Sequence, residues 1–220
     1  MGWLGEFFSS FDVVFYNWSL FWAGIQVTLK LAIFGSVVGF IIGTIAGLIR
    51  LSNLKLIRPL VIAYVEFIRG TPLMVQLLFI YFGLGFKSAE FAGMVALAIN
   101  SGAYVSEIVR AGVQSIEKGQ MEAARSLGMN YVTAMRYVIF PQAFRRIIPP
   151  LCNEFIILLK DSSLASVLPV MELTKAANYI NTRTFAGFPI YLSLAVLYFL
   201  MTYTLSNIFG VVERRMSVSD

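Results

Sequence analysis

Three charged residues interrupt an otherwise apolar run, CNEFIILLKDSSLASV at 152–167: Glu154, Lys160 and Asp161. On a helix, positions 154 and 161 fall two turns apart on nearly one face with Leu158 between them, and Lys160 projects about 100° away. Two carboxylates on one face suit a guanidinium or ammonium group, which needs partners once its water is removed. Lys160 could pair with Asp161 or Glu66, or attract a carboxylate. The same three charges could instead form an internal ion network that locks helices together.

A second polar interruption spans Glu66, Arg69, Gly70, Thr71 and Pro72. A Gly-Thr-Pro break frees backbone groups that can bind a ligand where they line a cavity. Thr71 and its neighbours then line a pathway, with Arg69 reaching inward or closing it; a plain kink is the other reading. Asn100 and Glu107 are seven apart and share a helical face, and Glu107 has Arg110 within pairing distance in sequence. Histidine is absent and Cys152 is the one cysteine, so a Ser/His/Asp triad, a Cys/His pair, a disulfide within the chain and a metal cluster are all out of reach.

The elements that carry these residues belong in a membrane. The chain has 220 residues, 58% hydrophobic and 13% charged, with a mean hydropathy of +0.77, against about 25% charged in ordinary soluble domains. Too few charges remain to make a soluble surface. The expected fold is all-α, a polytopic membrane protein with five transmembrane helices at about 21–49, 60–86, 91–113, 147–169 and 187–211. The second is expected to be kinked or partly unwound at Gly70–Pro72. Residues 1–20 start with MGWLGEFFSSFD, which lacks a basic region and reads as an interfacial segment. Residues 21–220 form the transmembrane domain.

Basic residues in short loops stay cytoplasmic. Arg50, Lys55, Arg58, Arg110, Lys118, Arg125, Arg136, Arg145, Arg146, Arg214 and Arg215 fall on one side, and Lys87, Lys175 and Arg183 on the other. Eleven against three puts the N-terminus outside and the C-terminus in the cytoplasm. This topology absorbs the net charge of +5, so a nucleic-acid partner has no support. Gly35, Gly39, Gly43 and Gly47 repeat every four residues and make one face that another helix can approach closely.

The loop at about 114–146 is cytoplasmic and far longer than the roughly 2–8 residues usual between packed helices. Its QMEAARSLG forms one or two helical turns, Gly128 can end them in a left-handed conformation, and Pro141, Pro149 and Pro150 break the chain farther on. Ala123 and Ala124 keep the helix thin, Glu122 and Arg125 charge its edge, and the product is a short helix presented to a partner. A phosphate-cradling loop is missing; GLGFKS at 83–88 lacks the adjacent Gly-Lys.

Glu122-Ala123-Ala124, three residues, Gly128, nine residues, then Val138-Ile139-Phe140-Pro141 resembles the EAA loop of the membrane subunits of bacterial ABC importers. Val138 and Phe140 depart from the family's Ile and Leu but keep apolar bulk. FIRGTPLMVQLLFIYFGL at 67–84 and NEFIILLKDSSLASV at 153–167 look like the polar amino acid branch. The resemblance covers nearly the whole chain. It implies a type I importer permease in the bacterial inner membrane, multi-pass, whose Glu122, Ala123, Ala124, Arg125 and Gly128 couple to an ATPase. It implies two ATPase copies, a second permease copy or paralogue, an extracytoplasmic solute-binding protein meeting 171–185, surrounding lipid and an amino acid substrate. Substrate contacts would come from Glu154, Asp161, Lys160, Thr71, Arg69 and Asn100. No cofactor is expected in this chain, with ATP and Mg on the ATPase, and so no enzyme activity of its own. A cationic substrate is favoured over a neutral one. Two other classes stay open: an ATP-independent secondary transporter or channel, and a structural anchor that holds an ATPase at the membrane.

Overall fold

In the computed structural model, residues 10–217 are described, with side chains through 214, and every regular element among them is a helix. Residues 1–9 of the expected interfacial segment lie outside the described residues. A short α1, Asp12–Tyr16, leads into α2, Trp18–Leu51. At 34 residues, α2 is about 51 Å long, more than the ~30 Å of a hydrocarbon core. Helix α3, Ile57–Arg69, is followed by α4, Leu73–Leu78, which widens into a π turn at Phe79–Gly83. The two meet at 107°, as the Gly-Thr-Pro break predicts. Pro72 cannot donate to the preceding turn, and Gly70 caps α3.

Helix α5, Ala89–Gln114, is the most buried of the long helices. Short α6, Lys118–Ser126, and α7, Tyr131–Ala134, come next, and a π turn at Met135–Ile139 feeds α8, Phe140–Asp161. A 3-10 turn at Ser162–Val167, α9 at Leu173–Thr184 and α10 at Gly187–Ser217 complete the chain. Among the described residues, α2, α5 and α10 are long and apolar enough to cross a membrane, and the bent α3/α4 pair makes a fourth unit. Helix α8 falls short of that apolarity, with Arg145, Arg146, Glu154, Lys160 and Asp161 on it.

The glycine row does what its spacing predicts. A Cβ on Gly35 would come 3.0 Å from that of Leu97, on Gly39 2.8 Å from Ser101, on Gly43 2.5 Å from Val105 and on Gly47 2.9 Å from Val109. Two four-residue rows interlock, so the backbones of α2 and α5 touch where any larger residue would hold them apart. Because both numberings rise together, α2 and α5 run parallel. A Cβ on Gly112 would strike Ile147, while Gly93 faces Ala165, so α8 runs antiparallel to α5. Leu31, Leu97, Leu158, Ala165 and Leu168 form the central core where the three helices meet.

One expectation fails here. Pro149 and Pro150 lie inside α8, and only Pro141 sits in its first turn, where a missing N–H matters least. The loop therefore ends at Ile139, and α8 runs unbroken from that loop to Asp161.

Candidate functional site

Glu154 is 8% exposed on α8, with Ser101 of α5 as a neighbour. Asp161 is half-buried two turns on, near enough for the two carboxylates to repel, and Leu158 between them is buried. Lys160 points away and is exposed. It lies within 4.0 Å of neither the Asp161 nor the Glu66 carboxylate, although its charge acts on neighbouring Asp161. Among the described residues, then, no ion pair neutralises either carboxylate.

The break between α3 and α4 is held by a residue that pattern reading missed. The buried Gln76 amide donates to Ile68 O at 2.7 Å and lies within reach of Thr71 O at 3.1 Å and Thr71 Oγ1 at 2.9 Å. Asn100 Nδ2 donates to Gln76 Oε1 at 3.0 Å, and Thr71 Oγ1 donates to Phe67 O at 2.9 Å. Thr71 and Asn100 are thus joined through Gln76, and carbonyls freed by the bend have partners inside the protein, as buried backbone groups require. Gln76→Leu leaves Asn100 and Ile68 O without that partner. It is expected to destabilise the protein by about 2–3 kcal/mol, read as a lower Tm in detergent; an unchanged Tm would remove Gln76 from this role.

Near the C-terminal end of α5, Glu107 accepts from guanidinium groups of two helices: Arg50 Nη1 at 2.8 Å and Arg110, with Arg69 Nη1 of a third helix 3.8 Å away. Arg69 also stacks over Tyr104, 5.4 Å from the ring centroid. The Arg110 pairing follows from spacing in sequence; Arg50 and Arg69, on other helices, do not.

On the loop, α6 ends in a Schellman motif: Met129 N donates to Ala124 O at 3.2 Å and Gly128 N to Arg125 O at 3.0 Å. Gly128 has φ +84, the left-handed conformation expected of it. Glu122, Ala123, Arg125 and Leu127 are exposed, whereas Ala124 is 4% exposed and anchors the helix from beneath. Arg146 Nη1 donates to Ser115 O at 2.5 Å, and Gln142 Nε2 to Gln120 Oε1 at 3.2 Å, tying the loop to α8.

At the opposite end, the polar stretch 171–185 contains the expected short helix, α9. Fully buried Glu172 caps it, accepting from Thr174 N at 2.8 Å and Lys175 N at 2.6 Å, while the Tyr198 hydroxyl donates to it at 3.2 Å. Burial pushes this carboxyl above the usual carboxylate range, and the N–H donors oppose that shift. Leu173 N also donates to Thr28 Oγ1 at 3.1 Å, so α9 is fastened to α2 and α10.

The family described as binding-protein-dependent transport system inner membrane component matches residues 39–218. This chain belongs to that family. The inner membrane component is 38% identical over 216 residues to the glutamine transport system permease protein GlnP of Escherichia coli (strain K12), covering 92% of this chain and 99% of that one. It is 36% identical over 202 residues to the arginine transport system permease protein ArtQ of Bacillus subtilis (strain 168), covering 90% and 92%. A solved amino acid ABC transporter with histidines is 46% identical, covers 93% of this chain and 97% of its own, and superposes with a TM-score of 0.88. The MetNI methionine ABC transporter in an inward-facing conformation, 20% identical with a TM-score of 0.76 over 90% of this chain and 96% of its own, shares the fold.

Proposed function

We propose that this inner membrane component is the permease subunit of an ATP-driven importer of polar amino acids. The observation that carries this reading is buried Glu154 and half-buried Asp161, neither in an ion pair among the described residues, on the helix that grows out of the exposed α6 loop. The relatives named for glutamine and arginine uptake support the substrate class. Glu154 and Asp161 receive the substrate's positive group, Arg69 and Lys160 its carboxylate, and Thr71 and Asn100 shape the wall through Gln76. A cationic substrate fits two carboxylates better than a neutral one does.

Five crossings, N-terminus outside and C-terminus inside, agree with parallel α2 and α5 separated by the bent α3/α4 pair. Antiparallel α8 agrees with them too. Residues 1–20 lie at the interface and 21–220 form the permease domain, with its loop running from about 114 to Ile139. Glu122, Ala123, Arg125 and Leu127 meet the ATPase, with Ala124 and Gly128 fixing the helix that carries them. ATP and Mg stay on the ATPase. One chain supplies half of a pathway, so two copies or a paralogue pair assemble with two ATPases, and a solute-binding protein delivers to the face bearing α9. ATP biases two states that differ by a few kcal/mol.

The complex, reconstituted in liposomes with its ATPase and delivery protein, is expected to take up radiolabelled amino acids only when all three proteins and ATP are present. Uptake by this chain alone under an ion gradient would establish a secondary transporter instead.

A further inference from the structure

The Glu107 cluster lies outside both the carboxylate pair and the ATPase-facing loop. It gathers Arg50 from the end of α2, Arg69 from the end of α3 and Arg110 from α5 itself around one carboxylate. Donors exceed acceptors there: Arg50 Nε is buried without a partner, and Arg110 and Arg50 reach beyond Glu107 to Gln114 and, at 3.5 Å, to Ser106. Three positive groups around one negative leave an excess of positive charge, one that an incoming carboxylate could share.

Its position matters as much as its charge. Glu107 lies six residues beyond Ser101, the neighbour of Glu154, which is about 9 Å along the helix. It opens into a pocket of about 450 Å³ between α5 and α8, lined also by Ser115, Arg146 and Pro150. Pro150 is one turn from Glu154, so this pocket continues the α5/α8 seam from the carboxylate pair towards the loop. Arg146, on its wall, is the residue bonded to Ser115 O where the loop leaves α5. Gln142 of α8 also bonds Gln120 of α6 at 3.2 Å, so α6 is tied to the helix that carries Arg146. The loosest contact, Arg69 to Glu107 at 3.8 Å, comes from the residue just before the Gly70 break.

We propose that Glu107 with Arg50, Arg69 and Arg110 forms the inner gate of the pathway, a latch across α2, α3 and α5 that parts when Arg69 leaves Glu107. This rests on the importer reading. While latched, the three helix ends are drawn together below the carboxylate pair. When ATP-driven movement tilts α3, the carboxylate of a departing amino acid takes the place of Glu107 beside Arg69.

The test uses the complete complex in liposomes loaded with amino acid and held outward-facing by a non-hydrolysable ATP analogue. The wild-type complex is expected to retain its load. Glu107→Gln and Arg69→Met are expected to leak it, and in cycling complexes to raise ATP hydrolysed per amino acid by roughly fivefold or more. Arg69→Lys, which keeps the charge, is expected to hold its load in the leak assay. Arg69 is the most exposed arginine of the cluster, so Arg69→Met decides the matter if Glu107→Gln fails to assemble. Assembled variants as tight and as well coupled as wild type would overturn the latch alone. A wild-type complex without ATP-dependent uptake would overturn the importer reading and the latch together.

Discussion

Replacing Glu154 with Gln and Asp161 with Asn in one chain is expected to abolish uptake while the assembled complex survives. Neither carboxylate has an ion-pair partner among the described residues, so neutral side chains of nearly the same volume leave no charge stranded. Removal of charge from buried Glu154 and half-buried Asp161 relieves a desolvation penalty, and assembly should be unharmed. Binding is another matter. Each charge-assisted hydrogen bond to a substrate cation contributes about 1.5–3 kcal/mol, so losing both lowers uptake of a cationic amino acid by roughly a hundredfold or more. Initial rates with labelled arginine and glutamine, beside size-exclusion profiles, read both halves of the expectation. Wild-type rates from an intact double variant would leave the pair without a transport role and favour the anchor reading.

The second large effect is expected at the loop, where Gly128→Pro and Glu122→Lys should each disconnect ATP hydrolysis from uptake. Proline fixes φ near −65°, far from the +84 of Gly128, and removes the N–H that bonds to Arg125 O. The Schellman motif then cannot form, and α6 loses its fixed direction. Gly128→Ala makes a useful contrast. A Cβ there meets nothing within 4 Å, so only the left-handed backbone is penalised, by about 1–2 kcal/mol. Glu122 is exposed, so Glu122→Lys changes the presented surface and leaves the fold of α6 alone. Retention of the ATPase on a tagged permease and ATP hydrolysed per amino acid are the measurements. Coupled uptake at wild-type levels in both variants would free the loop from this assignment.

Features written in local spacing were legible from the residues alone. Four glycines at a four-residue period announced the α2 face, Gly70-Thr71-Pro72 announced the bend, and Gly128 the end of α6. What eluded that reading joins distant positions. Gln76 with Asn100, Glu107 with Arg50, and Glu172 with Tyr198 are pairs 24, 57 and 26 residues apart, and no periodicity marks them. Gln76 in particular looks like one polar residue in an apolar run until the bend brings Ile68 O to it. Pro149 and Pro150 misled for the opposite reason. A local rule against proline in helices was outweighed by packing such as that of Ala143 and Ile147 against Val109 and Val113. Ala124 likewise belongs to the buried side of α6, which the EAA pattern by itself does not distinguish from Ala123.

The interlocked rows of α2 and α5 bear on how the chain is made. Ribosomes add roughly 5–20 residues per second, and α2 ends at Leu51 while α5 starts only at Ala89. For some seconds after its release from the translocon, α2 has a grooved flank whose proper mate is still unborn. Helices with small-residue flanks associate readily in lipid. That interval is when a nascent chain is open to mispairing with a stranger, and any insertase or membrane chaperone attending this protein has its task there.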